Sequence, residues 1–277
     1  MSVLALSFIV PLLYVLSISL SREGDIVDSG YKLFPQHFDL SAYTIIFKDP
    51  TMVLNAYSVT IFVTIVGTLL SLMVTAMLSY PLSRKDYGYR KLTSLVIYFT
   101  MLFNGGLVPW YILISRYLHL KGLIWVLIIP YLVSAWNVLL LKGFMQSLPA
   151  EIFESAKVDG AKELRIFFQI VLPLSKPGLA AVGLFLALGY WNDWWLAMLF
   201  IDDKKLLPIQ YMLNRIMSNL TFLQSELGRN AHINMADFPN ESARMAMCVL
   251  AMGPMLFAFP FFQKYFTKGL MLGSLKG

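Results

Sequence analysis

LPAEIFESAKVDGAKELRIFFQIVLPLSKP, residues 148–177, is a charged, helix-prone segment set between two long apolar runs. Glu151, Glu154, Lys157, Asp159 and Lys162 crowd its first half, and Glu163 and Arg165 follow. So much charge in a chain otherwise mostly apolar says that the segment leaves a membrane and meets water or a partner. Its grammar is helix, break, helix. Pro149 suits a first helical turn, where its missing N–H costs nothing, and Glu151 and Glu154 lie where the positive end of the helix dipole favours carboxylates. Ile152, Phe153 and Ala156 fall on one side at helical spacing. Gly160 supplies a turn before AKELRIFFQI resumes, and Pro173 and Pro177 end the second helix. The expectation is a short helical hairpin with an apolar edge.

The surrounding chain reads as membrane. Of its 277 residues 58% are hydrophobic and 14% charged, with mean hydropathy +0.66, whereas soluble domains carry about 25% charge. The net charge of +6 is scattered among loops, with no basic run interleaved with aromatics, which excludes a nucleic-acid partner. An excess of Lys and Arg reports cytoplasmic loops instead. The single cysteine, Cys248, excludes an internal disulfide and a thiolate cluster, and its apolar surroundings make it a small packing residue. His37, His119 and His232 have no second ligand at metal spacing, so no metal site is expected.

Six apolar runs, at about 3–20, 51–80, 92–115, 123–141, 178–201 and 243–262, each approach the roughly 20 residues that cross a bilayer. The first lacks the charged flank and cleavage site of a signal peptide and reads as a retained helix bent at Pro11. Residues 21–50 form a net acidic polar loop that should face outward, whereas Arg84, Lys85, Arg90 and Lys91 crowd one short loop that should face the cytoplasm. Six crossings then put both termini and the 148–173 hairpin in the cytoplasm. LLPIQYMLNRI, residues 206–216, has the pattern of a short interfacial helix.

Three features within the spans have two readings each. Thr60, Thr64, Thr68, Ser71, Thr75 and Ser79 keep to one helix face, either as a packing seam or as a hydrophilic wall of a translocation path. Asn104-Gly105-Gly106 with Pro109 marks either a helix break with an outer re-entrant turn or a packing kink. Tyr190, Trp191, Asn192, Asp193, Trp194 and Trp195 combine flat apolar faces with hydrogen-bonding groups. That suits a sugar, whose C–H faces stack on rings while its hydroxyls need polar partners, and equally an aromatic belt at the membrane interface.

The hairpin resembles the cytoplasmic loop of the permease subunits of ATP-binding-cassette importers, whose pattern is E-A-A, three residues, Gly, nine residues, I-x-L-P. Here Glu154-Ser155-Ala156, Gly160, Ile170, Leu172 and Pro173 match it, with Ser155 for the first alanine as the one departure. FNGGLVPWYILI, residues 103–114, resembles a stretch of the MalG/LplC-like subclass of carbohydrate permeases, and Trp191-Asn192-Asp193 is similar to a motif of sugar-import permeases. Gly273, Ser274 and Lys276 lie in a tail that resembles the family's ATPase-reaching ending, or is an ordinary frayed terminus.

The resemblance implies an all-α integral membrane protein with the type I importer (MetI-like) fold and cytoplasmic coupling helices. It implies coupling roles for Glu151, Glu154, Ala156, Asp159, Gly160, Ile170, Leu172 and Pro173: Glu154 capping or orienting the first helix, Ala156 permitting close docking, Gly160 making the turn. A substrate path past Asn104 and residues 190–195 would go with it. The implied partners are a second homologous permease, two ATP-binding subunits that hold ATP and Mg, an extracellular or periplasmic substrate-binding protein, and the lipid of a bacterial cell membrane. The implied cargo is oligosaccharides or polysaccharide fragments.

The chain itself carries no phosphate-cradling G-x-x-x-x-G-K-[ST], no G-x-S-x-G and no H-E-x-x-H, so neither catalytic residues nor a cofactor of its own are expected. Two alternatives stand beside this reading. One is the same fold carrying a peptide, an amino acid or phosphate. The other is an autonomous carrier, which the near absence of ionisable residues from the spans disfavours, with Asp193 near an end.

Overall fold

The computed structural model describes residues 2–224 and 240–256, with side chains over 8–219 and 240–256. His232, the end of the sixth apolar run and the tail residues Gly273, Ser274 and Lys276 lie outside the described residues. Helices make up the architecture; among the described residues there is no strand, only an isolated bridge between Ser21 and Phe38.

In chain order the helices are α1 (Ser2–Ser19), α2 (Glu23–Ser29), α3 (Ser41–Ile46), α4 (Pro50–Ser83) and α5 (Arg90–Leu102). After α6 (Leu107–Tyr117) comes a tight run at Ile124–Tyr131, then α7 (Ala135–Gln146). The hairpin contributes α8 (Ala150–Val158) and α9 (Glu163–Leu174), followed by α10 (Lys176–Asn192), α11 (Trp195–Phe200), α12 (Ile209–Gln224) and α13 at residues 241–256.

Among the described residues α4 alone is, by length and composition, long and apolar enough to cross a membrane, and three bent pairs pass the same test together. They are α5 with α6, bent by 111°, the Ile124–Tyr131 run with α7, bent by 52°, and α9 with α10, bent by 80°. The run at 92–115 thus takes the first of its two readings, a break at Asn104; the run at 123–141 bends between Tyr131 and Ala135; and the run at 178–201 is interrupted at Asp193, the 80° bend lying before it at Ser175. At Asn104 the break is built by a side chain: Asn104 Oδ1 accepts the Gly106 N–H at 2.8 Å, and Gly106 sits at φ +84°, where glycine alone is unstrained. A turn of 111° is far more than a packing kink. The fourth run starts tightly wound and becomes α-helical only after Ser134 caps it by accepting the Asn137 N–H. It continues to Gln146, past the expected exit at Lys142.

The chain forms two compact units, one of Met1–Val59 with Asp203–Phe257, the other containing Thr60–Asp202. In the first, residues 21–50 are not simply a polar loop, since α2 and α3 form within them. Ala42 and Ile46 of α3 are buried with Val53 and Ala56 of α4, Ile209 and Met212 of α12, and Ala243 and Met247 of α13. The apolar face of α12 is thus covered by protein, which is why it runs longer than the short interfacial helix expected. Glu23 caps α13: its carboxylate accepts the Glu241 N–H at 2.9 Å, the Ser242 N–H at 3.0 Å and the Ser242 hydroxyl at 2.8 Å. Cys248 is exposed, not packed. His37 is also exposed but lies 2.9 Å from Asp25.

The second unit has its core where α4, α7, the hairpin and α10 meet: Ala76, Tyr80, Leu141, Met145, Phe153, Ala156, Ile166, Val171 and Val182 are buried together. The hydroxyl stripe of α4 faces inward. Ser71, Thr75 and Ser79 are fully buried, and the Ser79 hydroxyl donates to Val138 O at 2.9 Å. Over residues 71–79 the stripe is therefore a packing seam. Gly178 packs so closely that a Cβ there would stand 2.6 Å from the Phe144 ring, the close helix contact that the small residues at the start of this span predict.

Candidate functional site

The hairpin forms as its residues dictate. α8 starts after Pro149 and ends at Val158, and Gly160 turns the chain at φ +75°. Pro173 does not end α9 but lies inside its last turn, while Pro177 opens α10, where a missing N–H is harmless. The apolar edge is not offered outward. Phe153 and Ala156 are 7% exposed, packed on their own bundle, and Ile152 is half-buried. Glu151, Glu154, Ser155, Val158, Asp159 and Gly160 form the exposed side. Glu154 lies mid-helix, so the capping role expected of it is filled by no side chain. Ile170 and Leu172 are half-buried and Pro173 is exposed.

A charge cluster joins the hairpin to the end of α4. Arg84 grips Asp86 with two hydrogen bonds, at 3.1 and 2.9 Å, and its guanidinium stands 4.5 Å over the Phe153 ring. Lys157 pairs with the same Asp86 and with Glu163 at 3.2 Å, and the Tyr80 hydroxyl donates to Glu163. The hydrogen bonds from Arg84 and Lys157 hold the Asp86 carboxyl well below the usual carboxylate range. The Tyr80 hydrogen bond, with Lys157 beside it, lowers Glu163 against the opposing effect of partial burial. Asp86 was hidden from sequence reasoning inside a run noted for its basic residues; the signal was the one acid among four cations.

The aromatic motif divides. Tyr190 and Trp191 are 3% and 4% exposed and belong to the packing. The Tyr190 hydroxyl lies 2.8 Å from Ser71 Oγ and donates to Ile128 O at 3.1 Å. Asn192 donates to Leu188 O at 2.9 Å, one turn back in its own helix. Asp193 works as a cap: its carboxylate accepts the Leu196 N–H at 3.2 Å. Trp194 and Trp195 stay partly exposed and meet edge to face at 5.7 Å. Asn104, Gly106, Trp110, Pro130, Tyr131 and Trp195 line a groove of about 390 Å³. Three of the residues singled out in the sequence, Asn104, Gly106 and Trp195, are thus brought together with Trp110, which lay in the 103–114 stretch without a role of its own, and with Tyr131, which carried no motif that could have found it.

Among the described residues no group of three or more His, Cys, Asp and Glu could hold a metal ion. Residues 50–271 match the family described as the binding-protein-dependent transport system inner membrane component. The chain is 38% identical over 271 residues to Protein LplC of Bacillus subtilis (strain 168), covering 97% of this chain and 90% of that one. It is 37% identical over 276 residues to the polygalacturonan/rhamnogalacturonan transport system permease protein YtcP of the same organism, covering 99% and 94%. Among solved structures it matches, at TM-score 0.80 and 29% identity over 96% of this chain and 93% of the other, a chain of a bacterial ABC transporter involved in the import of the acidic polysaccharide alginate. The helical fold as a whole is shared with that chain, and this chain belongs to the inner-membrane components of binding-protein-dependent transport systems.

Proposed function

We propose that this chain is the transmembrane permease subunit of an ATP-driven importer for oligosaccharides or polysaccharide fragments. The observation that carries the reading is similarity at 37% identity, over 99% of the chain, to a permease named for polygalacturonan and rhamnogalacturonan transport. The alginate importer supports it from the side of structure. In this reading the chain crosses the cell membrane six times with both termini in the cytoplasm. It pairs with a second homologous permease, two ATPase subunits that bind ATP and Mg, and an external substrate-binding protein. The chain itself is non-catalytic, as its family is.

The hairpin is the coupling element. Its exposed side, with Glu151, Glu154, Asp159 and Gly160, docks on an ATPase, whereas Ala156 serves the packing that fixes the hairpin to its own bundle. ATP-driven closure of the ATPases would push α8, and the push has two covalent or ionic exits: through α9 into α10, and through Lys157 and Asp86 into the end of α4. An element that two ligands bias between discrete arrangements is what such coupling requires. The tail residues Gly273, Ser274 and Lys276 give a second ATPase contact.

The test is uptake into proteoliposomes holding the complete complex, with loaded binding protein outside and ATP inside. Oligogalacturonides or related oligosaccharides are taken up, and peptides, amino acids and phosphate are not. Gly160→Pro, which cannot adopt φ +75°, abolishes binding-protein-stimulated ATP hydrolysis or the retention of ATPase subunits. Uptake of a peptide instead of sugars would sink the substrate class; normal assembly and transport by Gly160→Pro would reduce the hairpin to a surface loop.

A further inference from the structure

We propose that the groove formed by Asn104, Trp110, Tyr131 and Trp195 is a sugar subsite, a stacking platform for one ring of a passing oligosaccharide. This rests on the carbohydrate reading above and adds to it the place where the sugar touches this subunit. Each of the three rings is held by a neighbour outside the groove. Trp110 stands edge-on to Phe200 at 5.4 Å, Trp195 edge-on to Trp194 at 5.7 Å, and Tyr131 lies tilted against Tyr190 at 6.5 Å. The rings still keep accessible surface, with Tyr131 and Trp195 each 37% exposed. Fixed, partly exposed aromatic faces are what the C–H faces of a pyranose or furanose ring require, and fixing them beforehand removes ordering cost from binding.

The polar component fits the same chemistry. Asn104 has its Oδ1 engaged by the Gly106 N–H, and its side-chain NH₂ has no hydrogen bond among the described residues. An amide donor beside ring faces suits a sugar hydroxyl. The volume, about 390 Å³, lies within the roughly 300–1,000 Å³ typical of small-molecule pockets. No charged side chain is among the lining residues described, and the Asp193 carboxylate is engaged by the Leu196 N–H. The groove therefore reads ring faces and hydroxyls, not the carboxylate of an acidic sugar. Weak, sequence-tolerant holding of that kind suits a passage point. The 17 residues of α10 place it about 25 Å along the helix from the hairpin, at 1.5 Å per residue.

The test uses the complete complex in proteoliposomes, with labelled tetragalacturonate and arabinotetraose as probes. Trp110→Leu and Trp195→Leu each lower the sugar moved per ATP hydrolysed at least tenfold, while Trp195→Phe restores most of it. Aromatic rescue is a readout that a packing role alone would not give in the transport-to-hydrolysis ratio. In a Cys248→Ala background, which removes the single native thiol, a methanethiosulfonate reagent modifies Asn104→Cys at least fivefold more slowly when sugar-loaded rather than empty binding protein engages the complex. An unchanged ratio in the double Leu variant, or no protection, overturns the subsite while leaving the importer intact. Loss of the companion permease from the Leu variants overturns it too, making the groove a subunit contact. A wild-type complex that moves neither probe nor any other oligosaccharide overturns the carbohydrate reading itself.

Discussion

A methyl group added at Gly67 would stand 2.8 Å from the Tyr190 ring, and that ring cannot swing aside without losing its hydrogen bonds to Ser71 and Ile128. Gly67→Ala should therefore destabilise the protein by about 1–3 kcal/mol through overpacking. Gly189→Ala, with nothing within 4 Å of its added carbon, should change little. Thermal melting of the detergent-solubilised complex separates the two, and equal melting temperatures would contradict the contact. Tyr190→Phe keeps the ring but strands the buried Ser71 hydroxyl, at a cost of about 1–3 kcal/mol. The inward hydroxyl stripe was legible in the sequence because its spacing is local. Its partner was not, since Tyr190 lies 119 positions from Ser71 and looked like part of a sugar motif. The same holds for Asp193: its residue type suggested a ligand for sugar hydroxyls, but the end of α10 needed a cap for α11, and only three-dimensional placement shows the carboxylate already occupied.

At the scale of elements, the hairpin and α4 are joined by side chains from both. Helix, break and helix could be read from Pro149, Gly160 and the charge pattern; which edge faces the bundle could not, because amphipathicity does not say whether a partner or the chain itself covers the apolar side. Asp86 connects the two elements, accepting from Arg84 and Lys157, so Asp86→Asn should speed amide exchange over residues 150–162 and lower transport per ATP. Exchange rates equal to wild type would remove Asp86 from the joint. The pH dependence follows from the direction of the shifts. Asp86 and Glu163 are both held below their ordinary values, so their contribution is present above the unfolded-state carboxylate range, about 4, and is lost only as pH falls through the lower folded values. The protection factors of the hairpin amides, which remove the intrinsic pH dependence of exchange, should therefore stay flat from pH 8 to 5 and fall only in stronger acid. Both carboxylates are about half exposed, so solvent screening keeps the effect modest.

For the molecule as a whole, composition fixed the membrane class and the charged hairpin pointed to the family, but hydropathy counted apolar residues without seeing bends. The runs at 92–115 and 178–201 are long enough to cross straight, yet Asn104-Gly105-Gly106 and Asp193 interrupt them with local hydrogen bonds that a hydropathy window does not weigh. That same placement bears on energy supply. A carrier driven by protons or sodium needs ionisable groups within its spans that are available to the coupling ion. Here the apolar runs hold almost none, and Asp193, near an end of its run, already accepts from the Leu196 N–H. The chain reconstituted alone should therefore show no oligosaccharide uptake above protein-free vesicles under an imposed proton or sodium gradient. The complete complex should accumulate sugar with ATP on the hairpin side, and should stop when a non-hydrolysable analogue replaces ATP. Gradient-driven accumulation by the isolated chain would mean that the ion's ligands had escaped notice and that the hairpin is not where the driving force enters. Uptake that depends on hydrolysis, and is lost with Gly160→Pro at unchanged subunit content, places the entry of that force at the turn between α8 and α9.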